Sequence, residues 1–431
     1  MGAYLIRGGT PLRGAVQICG AKNSVLPILA ATLATGSQCV LHNCPAISDV
    51  DAAVGILRSL GCRVLRCGGT LAVDTEPACR TEISPQAMKK MRAAVIFLGA
   101  LVARFGEAQM AQPGGCVLGE RPIDLHLRGL RLLGAHCAGQ GECVRCTAGR
   151  LRGCTIALPI PSVGATENLL LAALGAEGET VLCNAAREPE ICDLIRFLRA
   201  CGAQIRGEGT SVLRVVGKKP LHGAEHTVMP DRIETATFLS MAAATRGELL
   251  LCGSCPSDLR AVTEVFARGG CILRETENAL CVTCPRWRAV SPIRTAPYPG
   301  FPTDAQAPVM AALSTARGDS VMEETIFSDR LRHVPALRRM GADILTTKRC
   351  AVIRGVRELH GAEVAATDLR GGAAMVTAAL AAHGESRITQ TEHIARGYAA
   401  LAARLRACCA QIEYIEGSDS GWNTKATIGA D

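Results

Sequence analysis

The sequence predicts an α/β protein of two domains, each assembled from three βαβαββ-like units. Three observations lead there. First, the signatures LRSLGC, LRLLGA, LRACGA, FARGGC, LRRMGA and LRACCA close six helices in turn. Their fifth residues, Gly61, Gly134, Gly202, Gly270, Gly341 and Cys409, fall 68 to 73 residues apart. Second, each unit opens with an alanine-rich helix that is apolar on nearly every side, as in NSVLPILAATLAT and ATENLLLAALGA, the pattern of a helix buried all round. Third, the strands are short and joined by glycine turns, as in VLRCGGTLAVD. Helices buried all round leave little continuous face for stacking repeats, which argues against an open solenoid.

Taken in order, YLIRG and AVQICG form a strand-rich lead-in. The first helices of the units then begin near Asn23, Met91, Gly164, Ile233, Asp304 and Gly371. Each unit's second helix is amphipathic, as in DVDAAVGILRSLG, and is expected to cover a sheet. The sixth unit ends at QIEYIEG with its strand set incomplete, so the N-terminal strands are expected to complete it. That gives one domain over residues 22–229 and another over 1–21 with 230–417. The polar stretch 418–431 is expected to be a disordered tail.

Composition narrows the function. The chain of 431 residues is 48% hydrophobic but only 3% aromatic, so its cores must rest on Ala, Leu, Val and Ile. The stacking platforms of single-stranded nucleic-acid binders are lacking. The formal charge of +8 is scattered rather than gathered in tracts, which favours small anionic substrates and no nucleic-acid partner. MGAYLIRGGT carries no signal-peptide run, and stretches such as Val95 to Ala103 are too short to span a bilayer. A cytoplasmic location without membrane insertion is therefore expected. There the 22 cysteines stay reduced and serve as small core residues. The pairs Cys252 with Cys255 and Cys281 with Cys284 have zinc-like spacing, but Cys252 and Cys281 lie in strand-like apolar runs, and no metal is expected.

Chemistry gathers in two kinds of place. In QPGGCVLGERPIDL, Pro113, Gly114 and Gly115 present Cys116 at the tip of a loop, and Pro122 holds the backbone of Arg121 extended. A thiol on a glycine loop beside a planar cation reads as a lid carrying an acid or nucleophile over an anion; the plainer reading is a surface turn. The second place is the set of first-helix N-termini: Lys22 and Asn23, Arg92, Ser162 with Val163 and Gly164, Asp231 and Arg232, Thr303 and Asp304, and Asp368 with Arg370. Converging helix N-termini make an anion pocket. Capping accounts for Asn23, Ser162 and Asp304, but Lys22, Arg92, Arg232 and Arg370 oppose the helix dipole. Arg121, Arg187, Arg330 and Arg396 recur in the second loops of four units, as a shared anionic ligand would require.

These residues carry a resemblance. GAKNSVLPIL, PGGCVLGERPIDLH, PSVGATENLLLAA, NAAREPEICDL, PDRIETATF, RTAPYPGFPTDAQAP, ATDLRGGAA and HIARGY occur in this order over residues 4–416. The chain resembles the enolpyruvyl transferases, in the branch that acts on UDP-N-acetylglucosamine for peptidoglycan synthesis. The resemblance implies two inside-out α/β barrels closing on a cleft. It also implies transfer of the enolpyruvyl group of phosphoenolpyruvate to the 3′-hydroxyl of the sugar nucleotide, with phosphate released and no cofactor or metal. On this resemblance Cys116 protonates the phosphoenolpyruvate methylene and is the target of the epoxide fosfomycin. Lys22, Arg121 and Arg396 grip phosphate and carboxylate, Asp304 takes the hydroxyl proton, and Asn23 hydrogen-bonds the tetrahedral intermediate. Arg92, Arg121, Pro122, Ile123, Asp124, Leu125, Ser162, Val163, Gly164, Asp304 and Ile326 hold the uridine diphosphate sugar, with Arg330, Asp368 and Arg370 in support. Ile160 departs from the pattern, standing where many members carry a basic residue, so one diphosphate contact is lost or supplied elsewhere.

Two alternatives remain at this level. The shikimate-pathway enolpyruvyl transferase lacks the lid cysteine and the RPIDLH run. A catalytically inactive regulatory homologue would have shed the acid or the base, yet Cys116, Asp304, Lys22 and Arg396 all stand.

Overall fold

The computed structural model describes residues 2–111, 123–140 and 143–416. It contains six four-stranded sheets of one design, each with one parallel pair at an edge and two antiparallel pairs. In the first sheet Glu225–Thr227 runs parallel to Gln38–His42, which pairs antiparallel with Thr70–Asp74 and so with Arg63–Cys67. The opening strand of that sheet thus comes from the far end of the first three units. The N-terminal lead-in is divided between two sheets. Arg13–Gln17 runs parallel to Glu248–Cys252, whereas Ala3–Arg7 lies between Glu385–Thr389 and Gln411–Ile415, antiparallel to both. The incomplete sixth strand set is filled by the N-terminus.

Inside the sheets lie two triplets of helices: Lys22–Thr35, Phe97–Phe105 and Val163–Leu174 in one, Arg232–Thr245, Thr303–Leu313 and Leu369–Ala381 in the other. Helices of each triplet pack on one another. All fourteen residues of Arg232–Thr245 are buried, which is why no polar face marks them in sequence. Sheets outside and helices within make the inside-out α/β architecture. The amphipathic helices Ser48–Ser59 and Pro189–Ala200 carry an acid in the first turn and an arginine in the last, in line with the dipole. Buried side chains divide into two clusters, one over Val25 to Val228 and one over Tyr4 to Ile18 with Ala236 to Ile412. A fully buried Ile28 or Leu29 contributes about 2 kcal/mol each.

The closing signature has a backbone cause. Gly61, Gly134, Gly202, Gly270 and Gly341 all have φ between 92° and 102°, just past the end of the amphipathic helix. Only glycine takes that conformation without cost. The sixth position is Cys409, with φ of 67°. Cys409→Gly is expected to raise stability by about 1 kcal/mol, because a left-handed L residue costs on that order. Urea unfolding measures it; a loss of stability would show instead that the thiol contact to the Arg13 carbonyl, at 3.7 Å, outweighs the backbone term.

The four-thiolate arrangement suggested by cysteine spacing is not assembled. Cys284 Sγ lies 2.8 Å from Cys271, not beside Cys255, which faces Ser257 at 3.2 Å. Strand register sets this pattern, with Cys252 opposite Ala279 and Cys281 opposite Leu250. Among the described residues no helix is long and apolar enough to cross a membrane.

Candidate active site

Two charged groups, drawn from both cores, meet around the N-termini of the inner helices. In the first, Asp49 is 2% exposed and binds two cations at once. Lys22 Nζ lies 2.7 Å from one of its oxygens, and Arg396 donates through Nε at 2.9 Å and a terminal nitrogen at 3.2 Å. Lys22 and Asp49 belong to the first core and Arg396 to the second, so this carboxylate ties the two together. Burial pulls the Lys22 pKa below its ordinary value; Asp49 works against that pull, and Arg370 and Arg396 add to it. For Asp49, burial alone would raise the pKa, but Lys22 and Arg396 together bring it below the usual carboxylate value.

In the second group Arg330 donates to Asp304 Oδ1 at 2.6 Å and Arg370 to Oδ2 at 3.1 Å. Both arginine side chains are almost fully buried, while Asp304 is 27% exposed. Arg370 is itself held by Tyr398 Oη at 3.1 Å, which contacts Thr237 at 2.8 Å. The groups touch where Asn23 Nδ2 reaches Asp304 Oδ2 at 3.5 Å. With buried Asp231, which accepts from Lys22 N at 3.3 Å and acts on Arg370, four cations face three carboxylates here, so a net positive charge remains for an anion.

Asn23 and Asp304 sit at matching places in the two cores, and neither is a cap. The cap positions are Ala21 and Pro302, and neither has a side-chain cap bond. Expecting both as caps was wrong because each lies one residue inside its helix. Four residues after each comes a proline inside the helix, Pro27 and Pro308. A proline has no N–H to give to the carbonyl one turn back, so the helical bond to the Asn23 and Asp304 carbonyls is missing in both cores. Ser162 does cap, accepting from Ala165 N at 3.4 Å. Asp231 caps by accepting from Ile233 and Glu234, and Asp368 from Arg370 and Gly371.

Three of the cations that oppose the helix dipole each have a carboxylate. Lys22 has Asp49 and Arg370 has Asp304, while Arg232 is gripped by Glu190 through contacts of 2.9, 3.2 and 3.1 Å. Arg232 is thus neutralised inside the protein. Arg187 also departs from the shared-ligand expectation: it is exposed and donates to the Gly209 carbonyl at 3.1 Å. Recurrence at one topological place brings Arg330 and Arg396 to the site, and not Arg187.

The expected sugar-nucleotide residues form a second region. Asp124 and Leu125 open the helix Asp124–Leu132, with Ile123 just before it, and Ser162 caps the helix that Val163 and Gly164 open. These segments adjoin through His126, whose ring would stand 3.4 Å from a Cβ placed on Gly164. His126 Nδ1 lies 2.8 Å from Asn168 Nδ2, and the Asn168 oxygen accepts from Gly99 N at 2.5 Å. With that amide so oriented, Nδ1 must accept. The imidazole is neutral, and burial holds its pKa down at about 4. Ile160 is 60% exposed. Ile326 lies on a loop pinned by buried Glu324, which accepts from Ile326 N at 2.8 Å and, through its other oxygen, from Thr303 Oγ1 at 2.9 Å. Arg92 opens the short 3-10 helix Arg92–Ile96. Cys116, Arg121 and Pro122 lie outside the described residues.

Asp49, Glu190, Glu324 and Tyr398 escaped the sequence reading. Asp49 had no distinguishing signal, since an acid in a helix's first turn is ordinary.

The fold is that of the enolpyruvyl transferases. Residues 6–405 match the family model described as EPSP synthase (3-phosphoshikimate 1-carboxyvinyltransferase), and the chain belongs to that family of carboxyvinyltransferases. Its relatives include UDP-N-acetylglucosamine 1-carboxyvinyltransferase 2 of Caldanaerobacter subterraneus subsp. tengcongensis, 46% identical and covering 96% of this chain and all of that one. UDP-N-acetylglucosamine 1-carboxyvinyltransferase of Granulibacter bethesdensis is 45% identical, covering 96% and 99%. Among solved structures, the enolpyruvyl transferase NikO from Streptomyces tendae superposes with a TM-score of 0.87 at 25% identity, covering 96% of this chain and 98% of that one. EPSP synthase from Acinetobacter baumannii shares the fold with a TM-score of 0.73 at 21% identity, covering 96% and all of that chain.

Proposed function

We propose that this enzyme moves the enolpyruvyl group of phosphoenolpyruvate to the 3′-hydroxyl of UDP-N-acetylglucosamine, releasing phosphate, in peptidoglycan synthesis. Identity of 43 to 46% with carboxyvinyltransferases of that substrate over nearly the whole chain carries the reading. The charged groups support it physically. Phosphoenolpyruvate is a small, highly charged anion, and Lys22 and Arg396 stand ready for its phosphate and carboxylate, with Arg121 from the segment 112–122 as a third cation. Such contacts strengthen once water is excluded.

In this reading Asp304 accepts the proton of the attacking hydroxyl as its oxygen bonds to the central carbon of phosphoenolpyruvate. Cys116 gives a proton to the neighbouring methylene. Asn23 hydrogen-bonds the resulting tetrahedral intermediate. Loss of a proton from the methyl carbon so formed, with departure of phosphate from the central carbon, restores the carbon–carbon double bond and leaves the enolpyruvyl group bound through the new ether oxygen. Arg92, Ile123, Asp124, Leu125, Ser162, Val163, Gly164 and Ile326 hold the sugar nucleotide, with Arg330 and Arg370 aligning Asp304. The domains are residues 22–229 and 1–21 with 230–417, and the substrates lie between them, in a cytoplasmic enzyme. The shikimate-type alternative is disfavoured by the same relatives.

The test is phosphate release. Release requiring both phosphoenolpyruvate and UDP-N-acetylglucosamine, and abolished by prior treatment with fosfomycin, is expected. Mapping should place the adduct on Cys116. Release with shikimate 3-phosphate in place of the sugar nucleotide would overturn the substrate assignment, and labelling that leaves Cys116 unmodified would overturn its role.

A further inference from the structure

Two buried cysteine pairs, one in each core, lie across the outer strand of a sheet and its antiparallel neighbour, two residues apart in register. Cys137 and Cys146 stand directly opposite each other on the antiparallel strands His136–Gln140 and Cys143–Thr147, with their sulfurs 2.7 Å apart. Cys271 and Cys284 lie one residue beyond the opposed pair Ile272 and Thr283, with sulfurs 2.8 Å apart. In each case one partner is fully buried and the other is 6% exposed. The less buried partner belongs to the outermost strand of its sheet, or immediately precedes it. Residues opposed across antiparallel strands have Cα atoms about 4.5 to 5.5 Å apart, within the range a disulfide spans, about 4.4 to 6.8 Å.

We infer that Cys137 with Cys146, and Cys271 with Cys284, are two sites of reversible disulfide formation, closed by a small-molecule disulfide such as oxidised glutathione and reopened by a thiol. The thiolate of one cysteine attacks the small disulfide, making a mixed disulfide and releasing one small thiol. The paired cysteine loses its proton and attacks the protein-bound sulfur, releasing the second small thiol. Two protein thiols are oxidised and one small disulfide is reduced to two thiols.

Local chemistry favours the step. Cys137 accepts a hydrogen bond from Cys146 with Arg131 nearby, and Cys284 accepts one from Cys271 with Arg246 nearby; both acceptors have pKa values below that of an ordinary thiol. An outer strand has one neighbour and opens more readily than a central one, which gives the oxidant a route to a buried pair. The Cys137 pair adjoins the strand Glu107–Ala111, which runs directly into the segment 112–122 that bears Cys116. Its closure would brace the frame from which that segment departs.

The whole protein should be incubated with oxidised glutathione, blocked with an alkylating agent in denaturant and mapped without reduction. Exposed Cys67, Cys79 and Cys409 report how far oxidation has gone. Peptides joining Cys137 to Cys146 and Cys271 to Cys284 are expected, and dithiothreitol should abolish both. Cys137→Ser should remove the first link and leave the second, and Cys271→Ser should do the reverse, so either variant alone suffices if the other does not fold. The inference is overturned if all four cysteines are recovered alkylated when the exposed cysteines are fully glutathionylated. It is equally overturned if glutathione remains on Cys137, Cys271 or Cys284 without progressing to the internal link.

Discussion

Asp304→Asn is expected to lower kcat by about 10²- to 10⁴-fold, the range for losing a positioned general base, with the dissociation constant for UDP-N-acetylglucosamine changed by less than about tenfold. The amide keeps the shape of the carboxylate and remains within reach of Arg330 and Arg370, at 2.6 and 3.1 Å in the native protein. It cannot accept the hydroxyl proton. Because those arginines are buried and fixed, the defect should appear in turnover and not in assembly of the site. Calorimetric titration with the nucleotide, run beside a phosphate-release assay, separates the two. Turnover within threefold of wild type would remove Asp304 from the role of base, and equal losses of affinity and turnover would make it a binding residue.

Asp49→Asn should act through its neighbours. Asp49 is the counter-charge that keeps buried Lys22 protonated; burial, Arg370 and Arg396 all push the Lys22 pKa down. A lysine is charged below its pKa, so lowering that pKa further makes the cation vanish at a lower pH. The KM for phosphoenolpyruvate in the variant should therefore climb as pH rises from 6 to 9, starting earlier than in wild type. At the alkaline end the excess should be about ten- to a hundredfold, the weight of one charge-assisted hydrogen bond. Parallel pH profiles would show that Asp49 does not govern Lys22. The variant also loosens the contact between the cores, because Arg396 reaches Asp49 from the other side at 2.9 Å. Removing one member of a buried ion pair costs about 3 to 5 kcal/mol, and the part of that cost owed to Arg396, which is 37% exposed, is reduced by solvent.

The repeat was legible because it rests on local rules. A glycine past the end of each amphipathic helix answers a backbone requirement, φ between 92° and 102°, that no other residue meets cheaply. Helices with no polar face have no stable place except inside. The same locality singled out Lys22 and Arg396, each a cation at a recurring position in its unit, whereas Asp304 read locally as a cap. One pairing between distant units was readable as well, because the strand set unfinished at QIEYIEG called for the N-terminal strands, and Ala3–Arg7 does lie between Glu385–Thr389 and Gln411–Ile415. That Arg13–Gln17 leaves it to run beside Glu248–Cys252 was not readable, since nothing local to either strand specifies the other.

Long-range pairing also decided which charges are available. Arg232 and Arg396 are both candidate cations in the sequence, yet Glu190 neutralises the first within a buried pair, while the second shares Asp49 with Lys22 and stays partly exposed. By itself the sequence determined the α/β class and the six units, because helix burial, strand alternation and turn chemistry are set within a few neighbours. Only the tertiary structure decided which carboxylate meets which cation and which cysteines face one another. Coulomb and hydrogen-bond energies depend on distance in space, and residues far apart in the chain acquire that distance only when the sheets close around the helices.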